Sequence, residues 1–562
     1  MDSESYGFGF VISKLKEHNI AIAPETQEVL KEYQFLTESE IKEKEKTILK
    51  LIKNRDDRKT IKCVLGGWFE RQHDKKLSFF NAETSVLLKE HDQETEKIKR
   101  TPYFFDKENN ILYEQVIGEK FVCFKDGEFQ EVTKIEGDLD VWHPQIGEEL
   151  TPQKPIVYLP EKPEEYGDLV KLREDVQNFI NKYCDVTPSY EYLASWYVLM
   201  TWIYEPCLDT VAYLRLMGDL GTGKSRLVET VGYICYRPIN VSGASTTSAV
   251  KRLLDKWRGT LIFDEGDVKQ SDETNELVKM FNLGFERRKP MCNCNKNDSN
   301  LLEFYNPFCP KIISTRRPFW DQALESRCLT EITRATARTN IPKKFLPACF
   351  WEEQKVLRNK LLRFRFDYIS KIDLEKAINL DIGCIEPRLE QATSCFLPLL
   401  VADGVALTRF KEFVGKYNLQ LIENRTDTLE GKILGVLMDK LAEYKPDVKS
   451  VSIGPKDIAS VLNDERAPDD KIPASTIGKH LRTLGIKTTL KRTGEDKKPK
   501  RIIELTPSLI PLFKRYSVDF EKIEEAEKVC NSVTDVTDVS DIEGKKKQQK
   551  LTSDNAGGDK KE

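Results

Sequence analysis

The feature that most constrains this chain is the stretch GDLGTGKS at residues 218–225, between the apolar run VAYLRLM and the helical pattern SRLVETVGYICY. Four residues satisfy every fixed position of the pattern G-x-x-x-x-G-K-[ST], namely Gly218, Gly223, Lys224 and Ser225. A glycine-rich turn between a buried strand and a helix start lets backbone amides converge on phosphate oxygens. The stretch therefore predicts an α/β fold with a nucleotide-binding loop, and a chance glycine-rich turn is the alternative.

The loop also assigns roles to single residues. Lys224 is expected to reach the β and γ oxygens of ATP, and Ser225 is expected to hold Mg²⁺ at the start of the helix. The predicted ATP-binding residues of the loop are Gly218, Asp219, Leu220, Gly221, Thr222, Gly223, Lys224 and Ser225. ATP and Mg²⁺ are thus the predicted nucleotide and metal.

An acidic strand end supplies the second half of this site. In GTLIFDEGD, the apolar residues 261–263 are followed by Asp264 and Glu265. We predict that Asp264 supports the metal through water and that Glu265 positions and polarises the attacking water. The predicted chemistry is hydrolysis of the γ-phosphate, and two solvated acids at an ordinary strand end are the alternative.

A third apolar strand, in PKIISTRRP, ends in Ser314 and Thr315, either of which could orient the attacking water. The order of these elements resembles that of an AAA+ ATPase, with Walker A at 218–225, Walker B at 261–265 and sensor 1 at Ser314 or Thr315. A strand-end hydroxyl without a catalytic role is the alternative for both residues.

The resemblance implies roles for three arginines. Arg327, in the Ser-Arg-Cys of DQALESRCL, is like the arginine finger of clamp loaders and would reach the γ-phosphate of a neighbouring subunit. Arg334 is the second choice, and a salt bridge with Glu325 or Glu331 is the alternative for both. Arg388, in the first turn of a helix that starts at a proline, corresponds to sensor 2 of the helical lid and would contact the nucleotide of its own subunit.

Two further phrases, EPRLEQ…LPLL and TTSAVKRLLDKWRGTLIFDEGD, narrow the resemblance. They look like the helicase-like ATPases of plasmids, phages and integrative elements that accompany replication or primase modules. This group implies a DNA motor.

The segment FERRKPMCNCNKNDSNLLEFYNPF contains two apolar-alternating runs around the polar tip NKNDSN, which predicts a hairpin inserted before sensor 1. Minichromosome-maintenance and viral superfamily-3 helicases carry a hairpin here with a basic residue in the pore. Lys296 is the candidate by position, with 287–289 (Arg-Arg-Lys) near the base, and a solvated turn is the alternative. Cys292 and Cys294 form only a C-x-C without a second pair, so a zinc site is not favoured.

The C-terminal part carries the basic charge of a chain whose formal net charge is −4. Residues 471–515 contain twelve Lys or Arg and three Asp or Glu, a local balance of +9. Two helical patterns and the hairpin pattern KTTLKRTGEDKKPKRIIEL resemble a winged helix-turn-helix, for which docking to protein is the alternative to binding DNA. The residues predicted to contact the major groove are Lys479, His480 and Arg482, beside Ser475 and Thr476, and those predicted to contact phosphates are Lys491, Arg492, Lys497, Lys498, Lys500 and Arg501.

With 562 residues, the chain is long enough for several domains. We predict a multidomain α/β protein with an N-terminal helical segment (1–62), a β-rich accessory domain (63–160), a helical linker (161–207), an AAA+ ATPase core (208–345), a helical lid region (346–428), a winged helix DNA-binding domain (429–518) and a disordered tail (519–562). In the β-rich part, Asp138, Asp140 and His143 lie together, but without a second acidic strand they do not complete a two-metal site.

The leading hypothesis is an ATP-hydrolysing AAA+ DNA motor, a hexameric ring helicase or translocase that acts on single-stranded or forked DNA. A DNA-binding ATPase switch, such as an initiator or loader, is the second hypothesis, and a remodeller of proteins is the third. The start MDSESYGFGF has no secretory pattern, the thirteen cysteines are scattered, and no run of about 18 apolar residues occurs. We therefore expect a cytoplasmic protein without a membrane partner.

Overall fold

The computed structural model describes residues 99–137, 140–151, 155–264, 266, 272–295, 300–383, 385–444, 452–464, 466–467, 470–492 and 499–532, together with Thr26, Leu30 and Leu51. Apart from those three positions and Lys99, they belong to the second of two compact units, Arg100–Glu562. The predictions for Asp138, Glu265, Lys296, Lys497 and Lys498, and nearly all of segment 1–62, lie outside the described residues.

Seven short strands lie in the N-terminal part of the described chain: β1 (Lys99–Thr101), β2 (Tyr103–Asp106), β3 (Ile111–Val116), β4 (Lys120–Lys125), β5 (Glu128–Val132), β6 (Ile135–Glu136) and β7 (Val141–Pro144). Strands β2 to β5 form an antiparallel meander, and the other three form a second sheet in the order β1-β7-β6. Val116 and Val122 belong to the same hydrophobic core as the residues around the loop at 218–225. The described strands of the predicted accessory domain (63–160) therefore share a core with the region that follows them, and the boundaries of this domain stay a prediction.

Two helices precede the nucleotide-binding loop: α1 (Leu169–Tyr183) and α2 (Pro188–Cys207). Thr187 caps the start of helix α2, since its hydroxyl accepts from the amide of Tyr190, and Pro188 occupies the first turn. The helix is buried along almost its whole length, and Tyr197 donates from its hydroxyl to the carbonyls of Ala212 and Lys311. This helix thus packs against the strands that begin near Ala212 and at Lys311, which belong to the parallel sheet described next.

Strands and helices then alternate in the order β8 (Tyr213–Met217), α3 (Lys224–Gly232), β9 (Ile239–Ser242), α4 (Thr247–Trp257), β10 (Leu261–Asp264), α5 (Asp272–Leu283), β11 (Met291–Cys294), β12 (Leu302–Tyr305), β13 (Lys311–Thr315), α6 (Gln322–Glu325) and β14 (Cys328–Ile332). Five of the strands form a parallel sheet in the order β14-β8-β13-β10-β9. Because the strands are parallel, the residues that follow β8, β10, β13 and β14 meet at one edge. This confirms the predicted α/β core, and β11 and β12 form an antiparallel hairpin outside the sheet.

A helical region follows, with α7 (Ala348–Ile369), α8 (Leu374–Ile378), α9 (Pro387–Thr393), α10 (Leu397–Leu400) and α11 (Gly404–Thr426). Phe350, Leu361 and Phe396 are fully buried and belong to the core that contains the parallel sheet. None of the described helices is both long and apolar enough to cross a membrane.

The C-terminal elements are α12 (Leu429–Ala442), α13 (Pro455–Asn463), α14 (Ala474–Thr483), β15 (Thr488–Arg492), β16 (Pro499–Ile503), α15 (Ile510–Tyr516) and a helical segment at 520–532. They share a second hydrophobic core. The prediction that the chain is disordered from 519 onward is wrong for 520–532. Ile523, Ala526 and Val529 recur at helical spacing and are buried in that core, which explains the order.

Candidate nucleotide-binding site

The backbone of the loop at 218–225 depends on glycine at defined positions. Gly221 and Gly223 have φ angles of 77° and 83°, in the left-handed region where glycine carries no steric penalty. At Gly218, a Cβ would lie 2.5 Å from Thr333 Oγ1 and 2.7 Å from the Thr333 carbonyl oxygen. The start of the loop is therefore packed directly against the segment that follows β14.

Lys224 begins helix α3 and its side chain turns back over the loop. Its Nζ donates to the carbonyls of Gly218, at 2.7 Å, and Asp219, at 2.6 Å. Thr222 Oγ1 lies 2.8 Å from Thr333 Oγ1, which also connects the loop to the segment that follows β14. The arrangement places an ammonium group and the positive end of a helix next to the loop amides.

The acidic strand and the sensor strand meet beside the loop. Ser314, in β13, donates a hydrogen bond to Asp264 Oδ1 at the end of β10. The neighbouring Thr315 is buried, its hydroxyl has no hydrogen-bond partner among the described residues, and it does not line the cavity. Of the two residues that the sequence left open, Ser314 is thus the one at the site.

These groups face one cavity of about 520 Å³. Its walls contain Lys224 and Ser225 from the loop helix, Asp264 from β10 and Ser314 from β13. The other predicted loop residues on the wall are Leu220, Gly221, Thr222 and Gly223. The structure therefore brings most of the residues that the motif spacing assigned to one site into a cavity of the size that small ligands occupy, whereas Gly218 and Asp219 do not line it.

Four further cationic residues line the same cavity: Arg226 in α3, Arg316 after β13, Arg334 after β14 and Lys343. The sequence prediction missed Arg226, Arg316 and Lys343. It assigned Arg334 to a neighbouring subunit's nucleotide, whereas the structure places this side chain on the wall of its own chain's cavity. The position of Arg316 and Arg334 directly after parallel strands was a usable signal, because such residues meet at the binding edge of the sheet.

The cavity is closed on another side by two chain segments. Tyr183 is the last residue of α1, Cys184 and Asp185 follow it, and Ile341 and Pro342 precede Lys343. The second segment is attached to the loop helix, since Arg226 Nη1 donates to the Pro342 carbonyl at 2.7 Å. An aromatic and aliphatic wall thus lies beside the phosphate-binding loop.

Arg327 lies at the amino end of β14, opposite to the loop. Its carbonyl accepts from the Tyr213 amide at 3.0 Å, and its guanidinium lies 5.2 Å from the ring centroid of Phe285. The side chain is 7% exposed, and burial lowers its pKa. The salt bridges considered as its alternative role are not formed, since Glu325 pairs with Arg215 and Glu331 accepts from Thr187.

Arg388 does not line the cavity with the loop. Its side chain donates to Gln391. Its positive charge also contributes to the lowered pKa of Arg327, of which burial is the main cause. The hydroxyls of Thr210 and Ser394 lie 3.4 Å apart, which holds this helical region at the amino end of β8. The predicted contact of Arg388 with the nucleotide of its own subunit stays a prediction, and the structure does not bring this residue to the cavity wall.

The hairpin before the sensor strand exposes an apolar face. Cys292 pairs with Phe304 and Cys294 with Leu302, and the side chains of Phe304 and Leu302 are 62% and 55% exposed. In the described part of the chain, no group of three residues of the metal-ligating types could hold a metal ion, and this includes Cys292, Cys294, Asp140 and His143.

The basic residues at the base of the hairpin have different surroundings. Arg287 is held by Glu205 and by the carbonyls of Tyr204 and Leu208, all at 2.6 Å. Arg288 is largely exposed, and Lys289 pairs with Glu286 at 2.7 Å. Arg287 thus anchors the hairpin rather than offering a cation to a ligand.

The C-terminal basic residues occupy α14 and the β15-β16 hairpin. Lys479 and Arg482 on α14, and Lys491, Arg492 and Arg501 on the strands, are exposed. His480 is instead held toward α12, with its Nδ1 2.7 Å from Glu430 Oε1. Lys500 pairs with Asp457 at 3.0 Å. Among the predicted basic contact residues that the structure describes here, His480 and Lys500 are therefore held by carboxylates and the other five are open.

No protein-family profile and no curated protein matches this sequence. Among solved structures, similarity is found to the active helicase Cch of SCCmec type IV, at 10% identity and a TM-score of 0.38, over 75% of this chain and 82% of that one. The apo C-terminal region of NrS-1 has 14% identity and a TM-score of 0.32, over 72% and 99% of the two chains. A full-length MCM homologue from Methanopyrus kandleri has 12% identity and a TM-score of 0.28, over 54% and 75%.

Proposed function

We propose that this chain is an ATP-hydrolysing AAA+ motor that acts on DNA as a ring-forming helicase or translocase. The observation that carries the proposal is the convergence of Lys224, Ser225, Asp264 and Ser314 on one cavity at the carboxyl edge of a parallel sheet. Cations, a hydroxyl-bearing helix start and a carboxylate are the groups that hold a nucleoside triphosphate and its metal.

The cavity residues have distinct roles in this proposal. Lys224 binds the β and γ oxygens of ATP, and Arg316 and Arg334 add positive charge from the strand ends. Ser314, held by its hydrogen bond to Asp264, is placed to orient the attacking water. Glu265, which follows Asp264 in the chain, is the proposed base.

The donor set fits Mg²⁺. The Ser225 hydroxyl and the Asp264 carboxylate line the same cavity, and both supply the oxygen atoms that this hard cation prefers. When bound, the metal would neutralise negative charge on the phosphates. Ser225 and Asp264 are therefore the proposed metal-holding residues.

Arg327 and Arg388 fit a role between subunits. Neither lines the cavity with the loop of its own chain, and the guanidinium of Arg327 donates to the Ala323 carbonyl and lies over the ring of Phe285. In a ring, this end of the sheet would be presented to the next subunit's nucleotide, which makes hydrolysis depend on assembly. Hexameric assembly is part of the proposal.

Contact with single-stranded or forked DNA is assigned to two places. The hairpin at 291–305 would face the DNA in the ring, with Lys296 at its tip as the cation. The C-terminal unit would bind as a winged helix, through Lys479 and Arg482 on α14 and the exposed cations of the β15-β16 hairpin.

The test is strand displacement on a forked duplex, with ATP turnover measured in parallel and Lys224→Ala as the inactive control. We expect the wild-type chain to hydrolyse ATP faster with single-stranded DNA and to displace a strand, and the variant to do neither. ATP turnover without displacement would replace the motor by a DNA-binding ATPase switch. If DNA does not change the rate of ATP turnover, the proposal that the motor acts on DNA would be wrong.

A further inference from the structure

Lys311 is a fully buried lysine at the start of the sensor strand β13. Its neighbour in the sheet is Tyr213, at the start of the strand β8 that leads into the nucleotide-binding loop. Three residues further along β13, Ser314 reaches the nucleotide cavity. One strand therefore carries a nucleotide-facing hydroxyl near one end and a buried ammonium at the other.

The surroundings of this ammonium are backbone carbonyls rather than carboxylates. Nζ lies 3.4 Å from the carbonyl oxygen of Gly284, 3.2 Å from that of Pro307 and 3.0 Å from that of Cys309. Within the described part of the chain it makes no ion pair, and burial lowers its pKa. Burial of a cation without a counter-charge costs free energy of folding. The presence of Lys311 at this position is therefore best explained by the groups that its ammonium holds.

The three carbonyls belong to both connections of the β11-β12 hairpin. Gly284 follows α5 and leads toward the hairpin, whereas Pro307 and Cys309 lead from the hairpin to β13. A lysine ammonium has three donors and no acceptor, so one group can hold both connections at once. The packing is tight, because a Cβ at Gly284 would lie 2.5 Å from Lys311 Nζ and 2.4 Å from the Pro307 carbonyl oxygen.

The same cluster reaches the strand of the nucleotide-binding loop and the arginine at the amino end of the sheet. Lys311 Nζ lies 3.2 Å from the hydroxyl of Tyr213, which in turn donates to the Phe281 carbonyl of α5 at 2.5 Å. Phe285, next to Gly284, lies under the guanidinium of Arg327. Lys311 thus contacts elements that lead to the nucleotide, to the hairpin and to Arg327.

We propose that Lys311 is a positioning residue that fastens both connections of the hairpin to the sensor strand, so that the nucleotide state sets the position of the hairpin. The fastening stands on the contacts above, and its use in DNA binding rests on the proposed function. Coupling of this kind is the ratio of the DNA affinities in two nucleotide states, and it equals the ratio by which DNA changes the nucleotide affinity.

The first experiment tests the fastening without DNA or nucleotide. Amide hydrogen exchange is measured in the full chain, in Lys311→Met, which keeps the length of the side chain and removes the ammonium, and in Lys289→Met, which removes an exposed lysine near the same hairpin. We expect residues 291–305 to exchange about 10-fold faster in Lys311→Met only, with β8 unchanged in all three. Equal protection of the hairpin in all three proteins would overturn the proposal.

The second experiment tests the coupling. The affinity for single-stranded DNA is measured by fluorescence anisotropy with a non-hydrolysable ATP analogue and with ADP. We expect the two affinities to differ by about 5-fold or more in the wild type, and by less than about 2-fold in Lys311→Met, with affinity for the analogue retained. A variant that keeps the wild-type ratio would refute the coupling, whereas a wild type without DNA affinity would refute the proposed function and leave the exchange result to decide the fastening.

A second variant covers the case in which Lys311→Met does not fold. Gly284→Ala keeps the lysine but brings a methyl group against its ammonium and against the Pro307 carbonyl. We expect the same faster exchange at 291–305. Normal exchange in a folded Gly284→Ala protein would contradict the proposal.

Discussion

The two ends of the parallel sheet differ in what determines the positions of their candidate functional side chains. At the carboxyl end, Lys224, Asp264 and Ser314 follow strands whose motifs are legible in the sequence, and they share one cavity. At the amino end, Lys311 and Arg327 lie beside Tyr213 through contacts with residues far away in the chain. The comparison teaches that the nucleotide end is built from local motifs and the opposite end from tertiary packing.

Removal of the loop lysine is expected to have the largest effect. In Lys224→Ala, ATP turnover should fall by about 100-fold or more, because a positioned cation for the phosphates is lost. Steady-state phosphate release measures it, and circular dichroism checks that the variant is folded. Turnover near the wild-type value would break the assignment of the carboxyl end as the catalytic one.

The sensor strand offers a matched pair of variants. Ser314→Ala should lower kcat about 10- to 100-fold with a smaller change in KM, because the side chain is proposed to orient the attacking water rather than to bind the adenine of ATP. Thr315→Ser, which keeps a hydroxyl at the buried neighbour, should change kcat by less than about 2-fold. A larger loss in the threonine variant than in Ser314→Ala would reverse the assignment within this strand.

The arginines of the two ends should separate in a mixing experiment. Arg327→Ala and Lys224→Ala subunits are each expected to be inactive alone and to recover part of the ATPase activity when mixed, since each supplies the part that the other lacks. Arg334→Ala should instead lose about 10-fold in nucleotide affinity as an isolated subunit, because its side chain lines its own chain's cavity. Normal turnover of Arg327→Ala by itself would remove the intersubunit role.

The smallest effect is expected in the C-terminal unit. Arg482→Ala should weaken binding to duplex DNA by a few-fold and reduce the slope of log affinity against log salt by about 1, as for one phosphate or groove contact. Lys522→Ala is the control, because Lys522 pairs with Asp439 and lies outside the α14 surface. A similar loss in both variants would indicate a general effect of charge rather than a contact by α14.

The sequence predicted the α/β core, the loop, the acidic strand and a hairpin before the sensor strand because each has a short pattern with a fixed spacing. It did not predict Arg316 and Lys343 at the cavity, or Arg334 on its own chain's cavity, since their positions depend on which strands are neighbours. It also missed the helix at 520–532, whose few apolar residues are stabilised by a core formed from distant helices.

By itself, the sequence determined that the loop at 218–225, the acidic end of β10 and the polar end of β13 lie at one edge of the sheet, because parallel strands bring their carboxyl ends together. Only the tertiary structure decided that Ser314 rather than Thr315 lines the cavity, that Arg388 lies away from it, and that Lys311 contacts both connections of the hairpin. The physical reason is that burial and the direction of a side chain depend on packing between elements, which residue spacing along the chain does not specify.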